Sequence, residues 1–337
     1  MNFVSVWLFN RFNYVKVLRL GSLLQICGAW IRCFAMVNGK FWPILLGTVI
    51  QSLSASMYWQ SQNLVANRWF PSSEYGLITS LWMATTMTMA VGFVLVGNIF
   101  SKPDVDTKWA LNDLIFHSNF VLTGLFLFFN LTIKSSPEIP PSKVAGIKQP
   151  RGKLTEAFGE LRQNKNAVLI GICYCAIIAA YNAFGSIVSL MFTPFGMSVG
   201  QLSWLLTGTI FIGTIVAVIW GVILDRTRAY KVSLTLGSIL ALLSMLVLIK
   251  ALSMGIALTH FDVIFVISAV YLATCIAMIP LCMAFSAEVA FPIQASLVNG
   301  CLQFFAQICS CSVAIAGNFW LAADYSQGAL SAEQIAR

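Results

Sequence analysis

The sequence predicts an all-α polytopic membrane protein, and three observations predict it. Nine apolar stretches of about 20 to 26 residues, nearly free of charge, run along the 337-residue chain. Charged residues make up 9% of it, against about 25% in soluble domains. Hydrophobic residues reach 58% and the mean hydropathy is +0.83. An α-helix rises about 1.5 Å per residue, so about 20 apolar residues cross a ~30 Å hydrocarbon core, where only helices and closed barrels satisfy the backbone.

The first span, Leu18 to Val37, follows the basic residues Arg11 and Lys16 and holds Arg32 well inside it. An unpaired charge there costs at least about 2.5 to 3.5 kcal/mol, so Arg32 is expected to be paired or to snorkel; with no carboxylate at matching depth, snorkelling to the outer interface is favoured over contact with a solute. The second span, Phe41 to Val65, carries Gln60, Ser61, Gln62 and Asn63 beside Tyr58 and Trp59. This cluster covers more than one helical face, so part of it must bond to other helices, while Tyr58 or Trp59 could supply an aromatic wall. The third, Leu77 to Phe100, contains Thr79, Ser80, Thr85, Thr86 and Thr88, hydroxyls that can bond back to their own helix. The fourth, Leu114 to Ile133, has His117 near its outer end in a structural role.

A polar connection, Lys134 to Asn166, follows with Pro137, Pro140, Pro141 and Pro150, and reads as a cytoplasmic linker. Within it, Leu154 to Gln163 predicts a short amphipathic helix on the membrane surface, its basic residues facing anionic lipid. Five more spans complete the chain: Ala167 to Phe192, Leu202 to Leu224, Val232 to Leu252, Val263 to Ala287 and Ala295 to Phe319. The expected organisation is an incomplete N-terminal half-bundle at 1–133, the linker at 134–166, and a C-terminal half-bundle at 167–337 that lacks its last helix.

The formal net charge of +8 has a topological cause. With the N-terminus cytoplasmic, the inside connections hold fourteen basic residues: Arg11, Lys16, Arg19, Arg68, Lys134, Lys143, Lys148, Arg151, Lys153, Arg162, Lys165, Arg226, Arg228 and Lys231. The other side holds five, namely Lys40, Lys102, Lys108, Lys250 and Arg337. The positive-inside rule fixes the orientation, and the lipid bilayer rather than nucleic acid is the partner of this charge. The nine cysteines fall within spans without zinc or redox spacing, so they read as small packing residues and no metal or cofactor is expected. The sequon Asn130-Leu131-Thr132 lies at a cytoplasmic helix end, out of reach of glycosylation. Two histidines and few buried carboxylates give no nucleophile–base pair, which argues against an enzyme.

Asn299, Gln303 and Gln307 recur every four residues and form one polar stripe on the last span. Amides in hydrocarbon need partners, so the stripe faces the bundle interior, either lining a solute cavity or joining a neighbouring helix. Tyr181 and Asn182, in the middle of their span, make a second candidate cavity pair. Glu288 ends its span on the cytoplasmic side, a place for a conformational lock.

The run Asp225-Arg226-Thr227-Arg228-Ala229-Tyr230-Lys231 is echoed by Asn10-Arg11-Phe12-Asn13-Tyr14-Val15-Lys16, with basic residues at the same offsets. Such an echo fits duplicated halves. With Gly221 four residues before Asp225, the run resembles the cytoplasmic motif of major facilitator superfamily transporters. In that reading Gly221 lets helices approach, Asp225 faces a neighbouring helix N-terminus, and Arg226, Arg228 and Lys231 bridge the halves in one state. Ordinary positive-inside charges are the alternative.

Further stretches resemble the feline leukaemia virus subgroup C receptor branch of that superfamily over nearly the whole chain. They include Gly28-Ala29-Trp30-Ile31-Arg32-Cys33, Arg68-Trp69-Phe70, Ala90-Val91-Gly92-Phe93, Pro137-Glu138-Ile139-Pro140-Pro141-Ser142, Ala287-Glu288-Val289 and Ala306-Gln307-Ile308. The resemblance implies a transporter of a small organic solute, since the branch is linked to choline and ethanolamine uptake, haem export and, in relatives, pyridoxine transport. In choline-transporting members an aromatic and glutamine cage holds the cation, as cation–π attraction suits a quaternary ammonium. Gln307 matches the helix-eleven glutamine of that cage. Thr86 stands in place of the helix-five glutamine, and Ala179 in place of the helix-seven tyrosine, with Tyr181 two residues on. The nine spans then correspond to family helices three to eleven. A plasma-membrane transporter working by alternating access is expected; a truncated, non-transporting subunit or scaffold that needs a partner chain is the alternative.

Overall fold

The computed structural model describes residues 2–37, 41–71, 74–83, 91–92, 94–95, 99, 107–134, 154–256, 260–290, 293 and 295–326. These form helices, with no strand among the described residues. In chain order they are α1 (Asn2–Arg11), α2 (Tyr14–Val37), α3 (Phe41–Trp69), α4 (Tyr75–Met83), α5 (Thr107–Thr132), α6 (Leu154–Gln163), α7 (Lys165–Phe192), α8 (Val199–Thr227), α9 (Tyr230–Ser253), α10 (Phe261–Val289) and α11 (Ala295–Ser326).

Seven of these are long and apolar enough to cross a membrane, namely α2, α5 and α7 to α11. The 29-residue α3 has ample length, about 43 Å, but Gln60, Ser61 and Gln62 make it more polar. Half of the expected span Leu77 to Phe100 lies outside the described residues, as does Thr86. The surface helix expected at Leu154 to Gln163 is present as α6. Both copies of the basic motif straddle a two-residue break, one position earlier in the first copy: α1 ends at Arg11 and α2 starts at Tyr14, while α8 ends at Thr227 and α9 starts at Tyr230.

Packing divides the chain into two compact units. The first comprises Met1–Ser72, Asp104–Ala167 and Ala287–Phe304, and the second Ser73–Pro103, Val168–Ser286 and Phe305–Arg337. This is a division by packing, distinct from the order of half-bundles along the chain.

In the first unit α2 is stitched to α3 and α5 by polar side chains. Ser54 Oγ donates to the Gly21 carbonyl at 2.6 Å, Asn119 Nδ2 to the Ala29 carbonyl at 3.0 Å, and Trp30 Nε1 to Thr123 Oγ1 at 3.0 Å. Asn130 Nδ2 reaches Ser22 Oγ. Such bonds are what remain to hold helices together where lipid removes the hydrophobic drive. Gly28 and Gly47 let α2 and α3 touch backbone to backbone: a Cβ at Gly28 would sit 2.7 Å from the Gly47 carbonyl, and one at Gly47 2.6 Å from the Gly28 carbonyl. At the motif, the Arg68 guanidinium lies 4.6 Å over the Tyr14 ring.

Arg32 is paired, though with an amide and not a carboxylate. Its Nη1 donates to Gln51 Oε1 on α3 at 2.6 Å, so a neutral amide one helix away holds the charge. At the outer end of α5, His117 and Asp113 approach to 3.3 Å, one helical turn apart.

The second unit has an apolar core built on Phe184, Phe192, Leu205, Leu248, Ile264 and Tyr271. Its glycines receive side chains. Gly208 faces the Phe265 ring, Gly213 faces Ile276, and Gly237 faces the Met278 thioether. Pro280 lies inside α10 and frees the carbonyl four residues earlier, which neighbouring helices make tolerable in a membrane. The long α8 is started by a capping box, in which Ser198 and Gln201 satisfy each other's backbone N–H groups.

Candidate functional site

The cytoplasmic motif forms a contact between helices. Gly221 is buried, so α8 can lie close to its neighbours, and Asp225, one turn later, is half-buried. Its Oδ2 accepts the backbone N–H of Leu77 at 2.8 Å, within the second unit. Leu77 is the third residue of α4, and the first turn of a helix has N–H groups with no partner in the helix itself. Asp225 therefore caps α4 from another helix, a carboxylate set at the positive end of a dipole. The helix N-terminus expected opposite Asp225 is α4.

Beside this latch a small cavity is lined by Ser80, Trp220, Gly221, Leu224 and Pro280, among others. The missing side chain of Gly221 and the proline in α10 leave slack where α4, α8 and α10 meet. Arg226, Arg228 and Lys231 are exposed at the same end. Arg228 closes α8 in the left-handed conformation, φ 53°, its N–H donating to the Leu224 carbonyl. That geometry favours glycine, so the break after the motif is held in a conformation an arginine rarely adopts.

Asn164, which the sequence reasoning did not single out, forms a second cytoplasmic clamp. Its Oδ1 accepts the N–H groups of Asn166 and Ala167 at 3.1 and 3.3 Å, capping α7. Its Nδ2 donates to the Val289 carbonyl at the end of α10, 3.1 Å away, next to the exposed Glu288. The signal was available, because an asparagine directly before a helix start is a preferred N-cap.

The amide stripe lies on α11 and is not uniform along its length. Asn299 is 1% exposed and Gln303 5%, both in the first unit, whereas Gln307 is exposed in the second. Neither Nδ2 nor Oδ1 of Asn299 has a hydrogen-bond partner among the described residues. Gln60, Ser61 and Gln62 on α3 are also buried in the first unit. Gly300 is a notch on this stretch: an added Cβ would collide with Val6 Cγ2 of α1 and would lie 3.8 Å from Gln60 Cδ. Val6 also packs with Leu297 and Ile293, an apolar seal beside the amides.

On α7, Tyr181 is half-buried against Ala217, Ile276 and Ala277. Asn182 is partly exposed, and its carbonyl accepts the Ser186 hydroxyl at 2.8 Å. Thr86 lies outside the described residues. Asp225 and α4 are thus in direct contact, Asn299 and Gln303 share one buried stretch, and Tyr181, Asn182 and Gln307 belong to the second unit.

Known proteins resemble the chain over nearly all of it. A family model described as Major Facilitator Superfamily matches residues 1–314. The human choline/ethanolamine transporter FLVCR2 is 24% identical over 315 residues, covering 90% of this chain and 58% of that protein. The choline/ethanolamine transporter FLVCR1 of Felis catus is 25% identical over 319 residues, covering 91% and 56%. The chain thus spans little more than half the length of these curated relatives. Among solved structures, the Major Facilitator Superfamily transporter FucP in the outward conformation superposes with a TM-score of 0.67 at 16% identity, covering 99% of this chain and 82% of that one. A bacterial homologue of the iron transporter ferroportin, outward-facing, gives 0.54 at 14% identity, covering 95% and 78%.

Proposed function

From the premise that this chain belongs to the Major Facilitator Superfamily and is a multi-pass membrane protein, we propose that it works as a secondary transporter of a small organic solute of the choline or ethanolamine kind, by alternating access at the plasma membrane. The observation that carries this reading is the Asp225–Leu77 contact. A cap supplied by the same helix would be static. A cap supplied by another helix at a cytoplasmic end makes and breaks as helices move, and its modest strength suits a reversible latch. Gly221, Arg226, Arg228, Lys231 and Glu288 accompany it as gating residues.

The substrate class rests on the names of the relatives and on polar groups suited to it. Gln307, Tyr181 and Asn182 offer amides and an aromatic ring, with Thr86 as a further candidate, and Asn299 and Gln303 extend the stripe toward the cytoplasm. A quaternary ammonium has no N–H to donate, so an aromatic face holds it while amides orient its hydroxyl.

Uptake of labelled choline, ethanolamine and pyridoxine by cells displaying the chain tests the proposal. Saturable uptake of choline or ethanolamine is expected, reduced by Asp225→Ala. No saturable uptake of either, with the chain present at the surface, overturns it; saturable uptake of pyridoxine alone moves the substrate class.

A further inference from the structure

Asn299 is unlike the other amides of its stripe. Both polar atoms of its side chain are buried and without a partner among the described residues. A native structure rarely tolerates a doubly unsatisfied amide unless something else, in another state, uses it. Packing alone would be served better by leucine, which has the same number of side-chain heavy atoms, branched at the same carbon, and none of them polar.

Position narrows the use. Asn299 and Gln307 are eight residues apart on α11, a rise of about 12 Å, longer than a choline-sized solute. The two amides therefore mark separate positions along the helix. Gln303, between them, is buried on the side of Asn299. Gly300 is 100° round the helix from Asn299 and 60° from Gln303, and it faces Gln60 Cδ of α3. Three carboxamides thus converge on one stretch of the first unit, where Val6 fills the Gly300 notch.

We propose that Asn299, with Gln303 and Gln60, forms a second solute site on the cytoplasmic side of Gln307, which takes the hydroxyl-bearing end of a small polar solute when Val6 leaves the Gly300 notch. A carboxamide donates through Nδ2 and accepts through Oδ1, which matches a hydroxyl, itself donor and acceptor. While Val6 fills the notch the site is shut and Asn299 goes unsatisfied. A departing solute, or the water that follows it, satisfies Asn299 once the notch opens. The stripe becomes two stations in sequence, and the second favours release toward the cytoplasm. This rests on the transport reading above.

Two measurements test the site. In the first, Asn299→Leu is compared with the unsubstituted chain in choline uptake and in thermal unfolding. The apolar replacement raises the unfolding temperature by about 2–4 °C, because it removes an unsatisfied buried amide. It lowers Vmax about tenfold or more while KM stays within about twofold, since entry at Gln307 is untouched. In the second, Asn299→Cys is placed in a chain whose nine native cysteines are replaced, in inside-out vesicles exposed to a membrane-impermeant thiol reagent. Choline and ethanolamine slow labelling severalfold, while tetramethylammonium, which lacks the hydroxyl, does not.

A Vmax within twofold of the unsubstituted chain, or labelling that choline leaves unchanged, overturns the second site and leaves the transporter reading standing. If Asn299→Leu fails to fold, choline protection of the cysteine variant decides alone. Absence of any saturable choline or ethanolamine uptake by the unsubstituted chain overturns the transporter reading itself, and the second site with it.

Discussion

The α2–α3 crossing in the first unit and the α9–α10 crossing in the second both depend on glycine, but what meets the glycine differs. At Gly28 and Gly47 a new Cβ would run into a backbone carbonyl at 2.7 and 2.6 Å. At Gly237 it would meet the Sδ, Cγ and Cε atoms of Met278 at 2.7 to 3.3 Å. A carbonyl moves only if its helix moves, whereas a thioether has three rotatable bonds and can swing away. The α2–α3 crossing is a fixed distance and the α9–α10 crossing an adjustable one. That contrast is useful in a transporter, where some helices must hold their spacing while others change neighbours.

The largest expected effect is at the fixed crossing. Gly28→Ala forces α2 and α3 apart, strains Ser54's bond to the Gly21 carbonyl, and is expected to cost about 2–3 kcal/mol, the upper range for overpacking. Thermal unfolding in detergent reads this as a lowered midpoint with loss of monodisperse protein. A midpoint unchanged within error would erase the contrast.

Next comes a contact of the second unit that reaches backbone. Asp225→Ala leaves the Leu77 N–H without its acceptor and is expected to cost about 1–2 kcal/mol, as lost N-caps do. Asp225→Asn keeps an acceptor but loses the charge, for a smaller loss of about 0.3–1 kcal/mol. If the two variants are equal, the dipole contributes little and the hydrogen bond is the whole effect. Accessibility of a cysteine placed at Ser80, beside the latch, should rise in both.

How far the sequence foretold this can be seen at Asp225 and at Arg32. The place of Asp225 opposite a helix N-terminus was legible only through the resemblance of the Gly, Asp-Arg and basic pattern to the superfamily's cytoplasmic motif, since ordinary positive-inside charges give a similar pattern. The spans were legible too, since hydropathy reports the transfer of each residue from water to lipid, which is local. Arg32 was legible only as a costly charge. Its acceptor, Gln51, is nineteen residues away on the next helix, and no periodicity within one helix says which residue of another will face it. The same blindness hid the Gly28–Gly47 crossing and the Val6–Gly300 notch. The amides of α11 were legible as a stripe but not as buried and exposed parts, because burial is decided by α1 and α3.

The interhelical bonds give a finer reading of the first unit. Ser54→Ala removes the hydroxyl that donates to the Gly21 carbonyl at 2.6 Å. Buried interhelical bonds in membranes average only about 0.6 kcal/mol, because the separated helices find other partners. The expected loss is therefore of that order, well under that of Gly28→Ala, about two turns along α2 from Gly21. If Ser54→Ala costs as much as Gly28→Ala, the crossing is held by its hydroxyls and not by its glycines.

The smallest effect is the most discriminating. Gly237→Ala gains about 0.8–1 kcal/mol of helix propensity, the ordinary difference between the two residues in a helix interior. Against this stands the displacement of the Met278 side chain, which lies in a tightly packed region of α10. Because the atoms nearest the new methyl belong to the flexible end of that side chain, the two effects nearly cancel, and the unfolding midpoint should stay within about 0.5 kcal/mol of the parent. Replacing Met278 by the stiffer, β-branched isoleucine alongside Gly237→Ala removes the means of adjustment. The double variant should then fall below the sum of the singles by roughly 1 kcal/mol, a coupling that a double-mutant cycle measures directly. Additivity there would mean that the methionine was not yielding at all, and that the α9–α10 crossing is as rigid at its glycine as the α2–α3 crossing.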